Sequence, residues 1–322
     1  MHTRALGATD LQASAIGLGC MGMSQSYGEA DPVESEATLR RALDVGVTFW
    51  DTANAYGAGH NESFIAKVLA TERDRVVLAT KFGIIPGGLD GDPAHVAGNC
   101  DASLGRLGVD VIDLYYLHRV DPEFPIEETV GAMAQLVTAG KVKALGLSEV
   151  SSDTLRRAHG VHPITAVQSE YSLWTRDVEK LLLATCRELN VTFVPFSPLG
   201  RGFFTGVITE AEFGSGDMRA NFPRFQGENF DANKVLLAGL TAIADRLGAT
   251  PGQLSLAWLL AKGDNIVPIP GTKRVSRIEE NAAAADVALS SADIAELDQL
   301  FDPANVAGAR YPENMFRFIQ RD

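Results

Sequence analysis

The chain has 322 residues, of which 46% are hydrophobic and 21% charged, as is typical of a globular enzyme rather than a disordered or fibrous protein. Its formal net charge of −13 disfavours nonspecific binding to nucleic acid or to an anionic membrane surface, so we expect neither as a partner. The length suits one α/β barrel. Because no linker or change in composition divides the chain, residues 1–322 are predicted to form a single domain.

Features that would direct the chain to a membrane or to secretion are not found in the sequence. No apolar run reaches the ~20 residues that a membrane helix needs, and residues 1–17 lack the basic start and apolar block of a secretory signal. Three widely spaced cysteines, Cys20, Cys100 and Cys186, predict neither a disulfide framework nor a metal cluster. We therefore expect a cytoplasmic protein without a metal site.

Short apolar segments typical of strands alternate with amphipathic helical segments along nearly the whole chain. The strand candidates are apolar on both faces, as expected of parallel strands that helices cover. They are residues 15–18, 48–51, 76–80, 111–117, 142–147, 165–168, 192–196 and 266–269. Eight strands, each followed by a helix, predict a closed (β/α)8 TIM barrel with an N-terminal β-hairpin at residues 5–13 and an extra C-terminal helix and loop.

Capping residues mark the beginnings of four of the predicted helices, because a side-chain oxygen there accepts from the first backbone N–H groups. These starts are Asp31-Pro32, Asp92-Pro93, Thr250-Pro251 and Ser290-Ser291. The one long irregular stretch, residues 200–230, is rich in Gly and Phe and follows the seventh strand. A barrel places an active-site loop at this point, so its glycines are candidate hinges of a loop that closes over a ligand.

A GxGxxG pattern at residues 17–22 matches the dinucleotide-binding fingerprint and follows a strand. That fingerprint requires a helix to open at the glycines, so that its N-terminus meets the pyrophosphate. Here the next helix is predicted to begin only at Pro32, after the polar loop 24–31. The pattern therefore favours close passage of the backbone to a ligand in a barrel over a Rossmann domain.

Four proton-carrying side chains are predicted to face one mouth of the barrel. Asp51, Lys81 and His118 end the second, third and fourth strands, and Tyr56 follows the second. Each has an ordinary structural alternative: a loop cap for Asp51, a solvated Lys81, a packed aromatic Tyr56 and a structural His118. Their placement on three successive strands favours a shared catalytic role, because barrel active sites gather at the carboxyl ends of the strands.

This set of side chains suits the reduction of a carbonyl group, which needs a proton donor for the developing alkoxide. Tyrosine, with a pKa of about 10, lies about 4 kcal/mol from ionisation at neutral pH. A lysine ammonium such as Lys81 is the simplest source of that stabilisation, and Asp51 would keep it charged and oriented. His118 would donate a hydrogen bond to the carbonyl oxygen and polarise it.

Residues 51–57 read DTANAYG and resemble the D-T-A-x-x-Y-G signature of the aldo-keto reductase superfamily. Lys81 in ATK and His118 in DLYYLH complete the family's Asp/Tyr/Lys/His tetrad, with Asp51 and Tyr56 from the signature. The similarity runs from about Arg4 to Asn281. It implies the barrel fold, NADPH-dependent reduction of aldehydes or ketones, cofactor binding without a Rossmann domain, and the tetrad roles just described.

The resemblance also implies where the cofactor lies. Ser148 and Gln168 match the residues that hold the nicotinamide carboxamide, although Glu149 stands where the family often has Asn. Phe196 matches the aromatic on which the nicotinamide stacks, and is otherwise a core strand residue. The loop under the pyrophosphate, with Arg201 as a charge partner, corresponds to Ser197, Pro198, Leu199, Gly200, Arg201 and Gly202. Cys20, Met21 and Asp51 complete this part of the predicted cofactor site.

The segment after the eighth strand is predicted to bind the adenosine 2′-phosphate. Lys273 and Arg277 flank a helix start, which makes an anion site, and the alternative is a solvated basic helix start. Many relatives carry Lys where Gly271 stands, so the phosphate partner is expected at Lys273. The resemblance adds Thr272 to this site and assigns adenine contacts to Glu280 and Asn281. NADPH is therefore predicted over NADH.

Apolar side chains from three loops are candidates to line the substrate pocket. Met23, Tyr27 and Trp174, with residues 203–225, would suit a carbonyl substrate with a hydrophobic part, although they are equally compatible with loop packing. A second function class remains open, since similar barrels serve as redox-sensing NADPH-binding auxiliary subunits. The sequence does not decide between a monomer and a homo-oligomer.

Overall fold

A barrel of parallel strands lies at the centre of the computed structural model, which describes residues 1–322. The strands are β1 (Thr3–Ala5), β2 (Gln12–Ser14), β3 (Leu18–Gly19), β4 (Phe49–Asp51), β5 (Val77–Phe82), β6 (Ile84–Ile85), β7 (Gly88–Leu89), β8 (Ile112–Leu117), β9 (Val142–Ser148), β10 (Ile164–Glu170) and β11 (Thr192–Phe196). Seven of them form one parallel sheet in the order β3-β4-β5-β8-β9-β10-β11. The predicted barrel fold is confirmed.

Helices surround this sheet and begin where the capping residues predict. They are α1 (Pro32–Asp44), α2 (His60–Glu72), α3 (Pro93–Leu107), α4 (Ile126–Thr138), α5 (Ser152–Val161), α6 (Leu182–Glu188), α7 (Gly227–Leu247), α8 (Pro251–Ala261), α9 (Val275–Ala283) and α10 (Ser291–Leu300). Asp31 and Asp92 accept hydrogen bonds from the first turns of α1 and α3, and Thr250 and Ser290 form capping boxes. None of these helices is both long and apolar enough to cross a membrane.

The predicted eighth strand, residues 266–269, is present only as a series of single bridges. Val267 N donates to a carbonyl of β11 at 2.9 Å, and Gly17 N on the other side donates to Pro268 O at 2.9 Å. Pro268 and Pro270 have no N–H to donate, so the ladder is interrupted at both positions. The segment still joins the two edges of the sheet and closes the barrel.

The glycines of the GxGxxG pattern make this closure possible. A Cβ on Gly17 would lie 2.8 Å from Phe49 O and 2.9 Å from the side chain of Ile269, and one on Gly19 would lie 3.0 Å from Ile269 O. Gly17 and Gly19 therefore give room to neighbouring strands, and Gly19 and Gly22 also lie on a cavity wall, where the backbone can pass close to a ligand. The following α-helix begins at Pro32, as predicted, and only a single 3-10 turn, Met21–Met23, forms at the glycines.

The N-terminal hairpin β1–β2 covers the end of the barrel where the strands begin. Gly7 N in its turn donates to Thr192 Oγ1 at the start of β11, and Thr48 N before β4 donates to Ser14 Oγ. Leu6 is fully buried among the side chains that fill the barrel. The opposite end, where the strands finish, is therefore the open one.

Candidate active site

A lysine buried inside the mouth of the barrel is the centre of the site. Lys81, on β5, has no exposed surface, and its Nζ donates to the carboxylate of Asp51 at the end of β4 and to Thr52 O at 2.8 Å. Nζ also lies 3.2 Å from the hydroxyl oxygen of Tyr56. The structure brings Asp51, Lys81 and Tyr56 together. Lys81 is not solvated, and the Asp51 carboxylate does not cap the loop.

Both oxygens of the Asp51 carboxylate have partners. Lys81 occupies one, and Gln168 Nε2 on β10 donates to the other at 2.8 Å. Burial raises the pKa of Asp51, while the charge of Lys81 and both hydrogen bonds oppose that rise. Burial would lower the pKa of Lys81, but the charge of Asp51 raises it. We assign carboxylate and ammonium, because the three N–H donors of the Lys81 ammonium then match Asp51, Thr52 O and Tyr56 Oη, and both Asp51 oxygens are acceptors.

The loop after β4 holds Tyr56 with its hydroxyl toward Lys81. Gly57 N donates to Gln25 Oε1 at 2.7 Å, and Asn61 N donates to Tyr56 O at 3.2 Å. Burial raises the pKa of the Tyr56 hydroxyl, and the positive charge of Lys81 opposes the rise without cancelling it. This corrects the expected lowering, since removal of the phenol from water has the larger effect. Tyr56 therefore carries its proton at neutral pH.

His118 follows β8 and faces the tyrosine edge-on. The two ring centroids are 5.8 Å apart with an interplanar angle of 83°. Burial lowers the pKa of His118 well below its usual range, and the charges of Arg119 and Lys81 lower it further. Its Nδ1 is buried and has no hydrogen-bond partner in the protein. The imidazole is therefore neutral and has one N–H to donate, which is the property predicted for it.

A cavity of about 430 Å³ opens beside these side chains and extends to the start of α9. Asp51, Tyr56 and His118 are on its wall, whereas Lys81 lies behind them. The other predicted residues on the wall are Met21, Tyr27, Gln168, Phe196, Ser197, Pro198, Leu199, Arg201, Gly202, Gly271, Thr272, Lys273, Arg277, Glu280 and Asn281.

Two of the predicted substrate residues do not reach the cavity. Met23 is buried in the main hydrophobic core. Trp174 stacks on Phe203 with ring centroids 4.8 Å apart and also contacts Phe204 and Phe225. Phe203, Phe204 and Phe225 are buried around Trp174 rather than on the wall, whereas other residues of the 203–225 stretch, such as Ile208 and Met218, do lie on the wall. The predictions for Met23 and Trp174 are therefore corrected, because these large apolar side chains pack in the core.

Three predicted cofactor residues also lie off the wall. Cys20 is fully buried, and its N–H donates to Asp51 O at 2.9 Å. Gly200 packs against the Trp174 indole, from which a Cβ would be only 2.9 Å away. Ser148 is almost fully buried, and its Oγ accepts from Arg119 at 2.9 Å. The Ser148 side chain therefore does not line the cavity itself, although its partner Arg119 does.

The far end of the cavity carries cations from the start of α9. Lys273 Nζ donates to Tyr27 O and Gly28 O, at 3.0 Å each, and thereby connects α9 to the loop before α1. Burial lowers the pKa of Lys273, and the charge of Arg274 adds to this. Arg277 pairs with Glu280 on the next turn. Arg274 is exposed, and its guanidinium has no hydrogen-bond partner in the protein.

Arg201 lies on the wall but its charge is directed inward. It is almost fully buried and pairs with Glu170 at 2.8 Å, and its guanidinium lies over the rings of Phe222 and Tyr311, at 4.3 and 5.0 Å from their centroids. Its φ of 57° lies in the left-handed region, which non-glycine residues adopt mainly where the surroundings enforce it. The predicted pyrophosphate contact would have to compete with Glu170.

Sequence reasoning missed several residues on the cavity wall. They include Arg119, Arg274, Tyr311 and Met315, whereas Thr205, Val207, Ile208, Met218 and Arg219 on the wall belong to the predicted 203–225 stretch. Arg119 and Arg274 directly follow residues that the sequence does identify, so adjacency is the signal that points to them. The remaining residues lie in loops or in the C-terminal segment, where no periodic pattern shows which side chains turn inward.

The C-terminal segment reaches the cavity because a buried ion pair fastens it to β9 and β10. Arg310 binds the carboxylate of Glu149, which also accepts from Glu170 N at 2.8 Å. Further along, Gln320 N donates to Glu149 O at 3.1 Å. Glu149 has a φ of 54°, a conformation that suits the Asn often found at this position in the family. Its side chain is structural and points away from the cofactor side.

We expect Arg310→Met to lower the free energy of unfolding by about 3–5 kcal/mol, because it leaves the Glu149 carboxylate buried without its cation. Arg317→Met is the matched control, since Arg317 is an exposed arginine of the same segment. Urea denaturation followed by circular dichroism measures both. Equal midpoints for the two variants would contradict the assignment of Arg310 as the anchor.

A buried ion pair behind a protonated tyrosine and a neutral histidine, at the carboxyl end of a parallel barrel, is typical of barrel oxidoreductases that act on carbonyl groups. Comparison with known proteins agrees with this class. The sequence model of the aldo/keto reductase family matches residues 15–302. The chain belongs to the aldo/keto reductase family.

Individual relatives cover nearly all of the chain. It is 45% identical over 323 residues to the probable aldo-keto reductase 1 of Glycine max, covering 97% of this chain and 92% of that protein. Its structure is similar to that of the glycerol dehydrogenase AKR11B4 from Gluconobacter oxydans, with a TM-score of 0.86, 26% identity, and 94% and 96% of the two chains covered. The holo form of the aldo-keto reductase AKR11C1 from Bacillus halodurans gives a TM-score of 0.78, 26% identity, and coverage of 97% and 98%.

Proposed function

We propose that the protein reduces aldehydes and ketones to alcohols with NADPH, and that Tyr56 donates the proton. The observation that carries this proposal is the Lys81 ammonium, which is buried between the Asp51 carboxylate and the Tyr56 hydroxyl. This contact favours the phenolate that remains once the proton has left, because the cation is already in place and needs no reorganisation.

The residues around the cavity suit a nicotinamide cofactor. Gln168 and the half-buried ring of Phe196 lie near the tetrad, and cations from the start of α9 lie at the far end. An amide, an aromatic face and an anion site are the partners that carboxamide, nicotinamide ring and phosphate groups require. We propose that Gln168, Phe196 and the loop 197–202 hold the nicotinamide and pyrophosphate, and that residues 271–281 hold the adenosine part. A cofactor bound there supplies the hydride that the carbonyl carbon takes up.

The side chains of this protein would orient the carbonyl group and supply the proton. The neutral imidazole of His118 donates a hydrogen bond to the carbonyl oxygen and holds it near the Tyr56 hydroxyl. Tyr56 then passes its proton to that oxygen as negative charge develops there. Lys81 stabilises the phenolate, and Asp51 keeps Lys81 charged.

The reaction is tested by the loss of NADPH absorbance with a panel of aromatic and aliphatic aldehydes. Steady turnover supports the proposal. NADPH binding with no turnover of any substrate would favour the alternative function, a redox-sensing auxiliary subunit. Failure to bind NADPH would overturn the cofactor assignment. We also propose a cytoplasmic location, which the three buried, unpaired cysteines support.

Preference for NADPH over NADH is expected to depend on Arg277. Removal of this guanidinium in Arg277→Ala should weaken NADPH binding about 10- to 100-fold, as expected for a charge-assisted hydrogen bond to phosphate, and should leave NADH binding less affected. Fluorescence titration gives both Kd values. Arg40→Ala is the control, since Arg40 is an exposed arginine on α1. Equal affinity of the wild type for both cofactors, or an unchanged preference in Arg277→Ala, would disprove the assignment.

A further inference from the structure

An arginine next to the tetrad has no anionic partner in the protein. Arg119 directly follows His118 and is half-buried on the cavity wall. Its Nη1 donates to His118 O at 2.6 Å and to Ser148 Oγ at 2.9 Å, both of which are neutral acceptors. No carboxylate forms an ion pair with Arg119, and its Nε and Nη2 groups have no acceptor in the protein. Three or more N–H donors are therefore free for a ligand.

The other arginines near this part of the cavity are neutralised. Arg201 pairs with Glu170 at 2.8 Å, and Arg219 pairs with Asp217 at 2.5 Å. Arg119 is thus the unpaired cation at the catalytic end of the cavity. An unpaired guanidinium that is partly removed from water is costly to keep. An anionic group on the substrate would offset that cost.

The positive charge of Arg119 affects the pKa values of His118 and Tyr56. It helps to lower the pKa of His118, where burial has the larger effect, and it opposes the rise that burial causes in the pKa of Tyr56. Both contacts within the protein, with His118 O and with Ser148 Oγ, are made by Nη1 alone. Nε and Nη2 can therefore bind a ligand while Nη1 keeps its contacts.

The wall of the same cavity also carries apolar side chains. Ile208, Met218, Tyr311 and Met315 face the same cavity. A ligand that satisfies both kinds of surface has a hydrophobic body and an anionic group. Since guanidinium binds carboxylate in a planar, two-point arrangement, carboxylate is the anion that this geometry favours on a compact organic substrate.

The geometry points to carbonyl compounds that carry a carboxylate as the substrate class, with Arg119 as the residue that selects them. This inference rests on the proposed reductase function for the reaction. Binding of the carboxylate by Arg119 does not depend on that reductase function. Arg119 acts as a specificity-determining residue and takes no part in the transfer of the proton.

A pair of substrates that differ in one charge tests this inference. 4-Carboxybenzaldehyde and methyl 4-formylbenzoate share the same aldehyde and ring, and only the first is an anion. We expect the wild type to prefer the carboxylate in kcat/KM, mainly through KM. The ratio of the two kcat/KM values should fall about 10- to 100-fold in Arg119→Gln, the size expected for hydrogen bonds to a charged group. Arg119→Lys, which keeps the charge, should restore part of the preference.

A binding measurement separates this inference from the reductase function. Calorimetry gives the Kd of 4-(hydroxymethyl)benzoate and of its methyl ester for wild type and Arg119→Gln, with no turnover required. Tighter binding of the acid by the wild type, lost in the variant and weakened by added salt, supports the carboxylate site even if no aldehyde is reduced. An unchanged acid-to-ester ratio in Arg119→Gln, in both kinetics and binding, overturns the inference. It would leave Arg119 as a positioning residue for Ser148.

Discussion

Replacement of Tyr56 by Phe should reduce kcat for aldehyde reduction by about 10²- to 10⁴-fold, the usual contribution of a positioned general acid. The Tyr56 hydroxyl lies 3.2 Å from Lys81 Nζ, and Tyr56 is on the cavity wall beside His118. NADPH binding should be unchanged, because Lys81 keeps its contacts with Asp51 and Thr52 O. Stopped-flow reduction of an aldehyde under single-turnover conditions, with a separate NADPH titration, measures both.

Tyr115→Phe is the matched control for this experiment. Tyr115 is a buried tyrosine on β8 that stacks on Phe82, with ring centroids 5.1 Å apart, and its hydroxyl has no hydrogen-bond partner. Removal of that hydroxyl should therefore change neither kcat nor NADPH binding. If Tyr56→Phe retains the kcat of the wild type, another group supplies the proton and the assignment of Tyr56 is wrong.

Replacement of Lys81 by Met should affect both stability and chemistry. The substitution leaves the Asp51 carboxylate buried without its cation, and the loss of one member of such a pair costs about 3–5 kcal/mol. It also removes the charge that stabilises the Tyr56 phenolate, so kcat should fall about 10³-fold. Urea denaturation and single-turnover kinetics measure the two effects. Gln168 should still donate to Asp51 and thus moderate the loss of stability.

A double-mutant cycle with Asp51→Asn distinguishes the ion pair from simple packing. Asn at this position keeps an acceptor for Gln168 but carries no charge, so the double variant no longer buries an unpaired carboxylate. We expect it to be more stable than Lys81→Met alone, while its kcat stays low. A double variant whose loss of stability equals the sum of the two single losses would show that Asp51 and Lys81 are not coupled.

The tetrad was predictable because of where its members stand in the sequence. Asp51, Lys81 and His118 end successive parallel strands, and the carboxyl ends of such strands meet at one edge of a barrel. The location of these residues at the ends of strands in the sequence therefore predicted that their side chains would lie close together. The sign of the Tyr56 pKa shift was not predictable, since it depends on how completely the phenol is removed from water.

Elements without a regular pattern were predicted less well. The apolar residues 266–269 resembled a strand, yet Pro268 and Pro270 reduce it to single bridges. Trp174 was predicted to contact substrate, and it packs inside the aromatic cluster beside β11. A loop has no regular alternation of buried and exposed side chains. The sequence therefore shows that a large apolar residue is present, but not whether its side chain faces the core or the cavity. Tyr311 is the opposite case, because it lies on the cavity wall although the sequence did not identify it.

The attachment of the C-terminal segment has a consequence for redesign of this enzyme. Tyr311 and Met315 are on the cavity wall, yet they belong to a stretch that adds no strand to the barrel and is held to it by Arg310, a few hydrogen bonds and side-chain packing. The side chains proposed for catalysis are on strands or on the hydrogen-bonded turns that directly follow them. A graft of residues 311–319 from a relative, with Arg310 kept, should therefore exchange one substrate range for another while the reduction machinery stays intact.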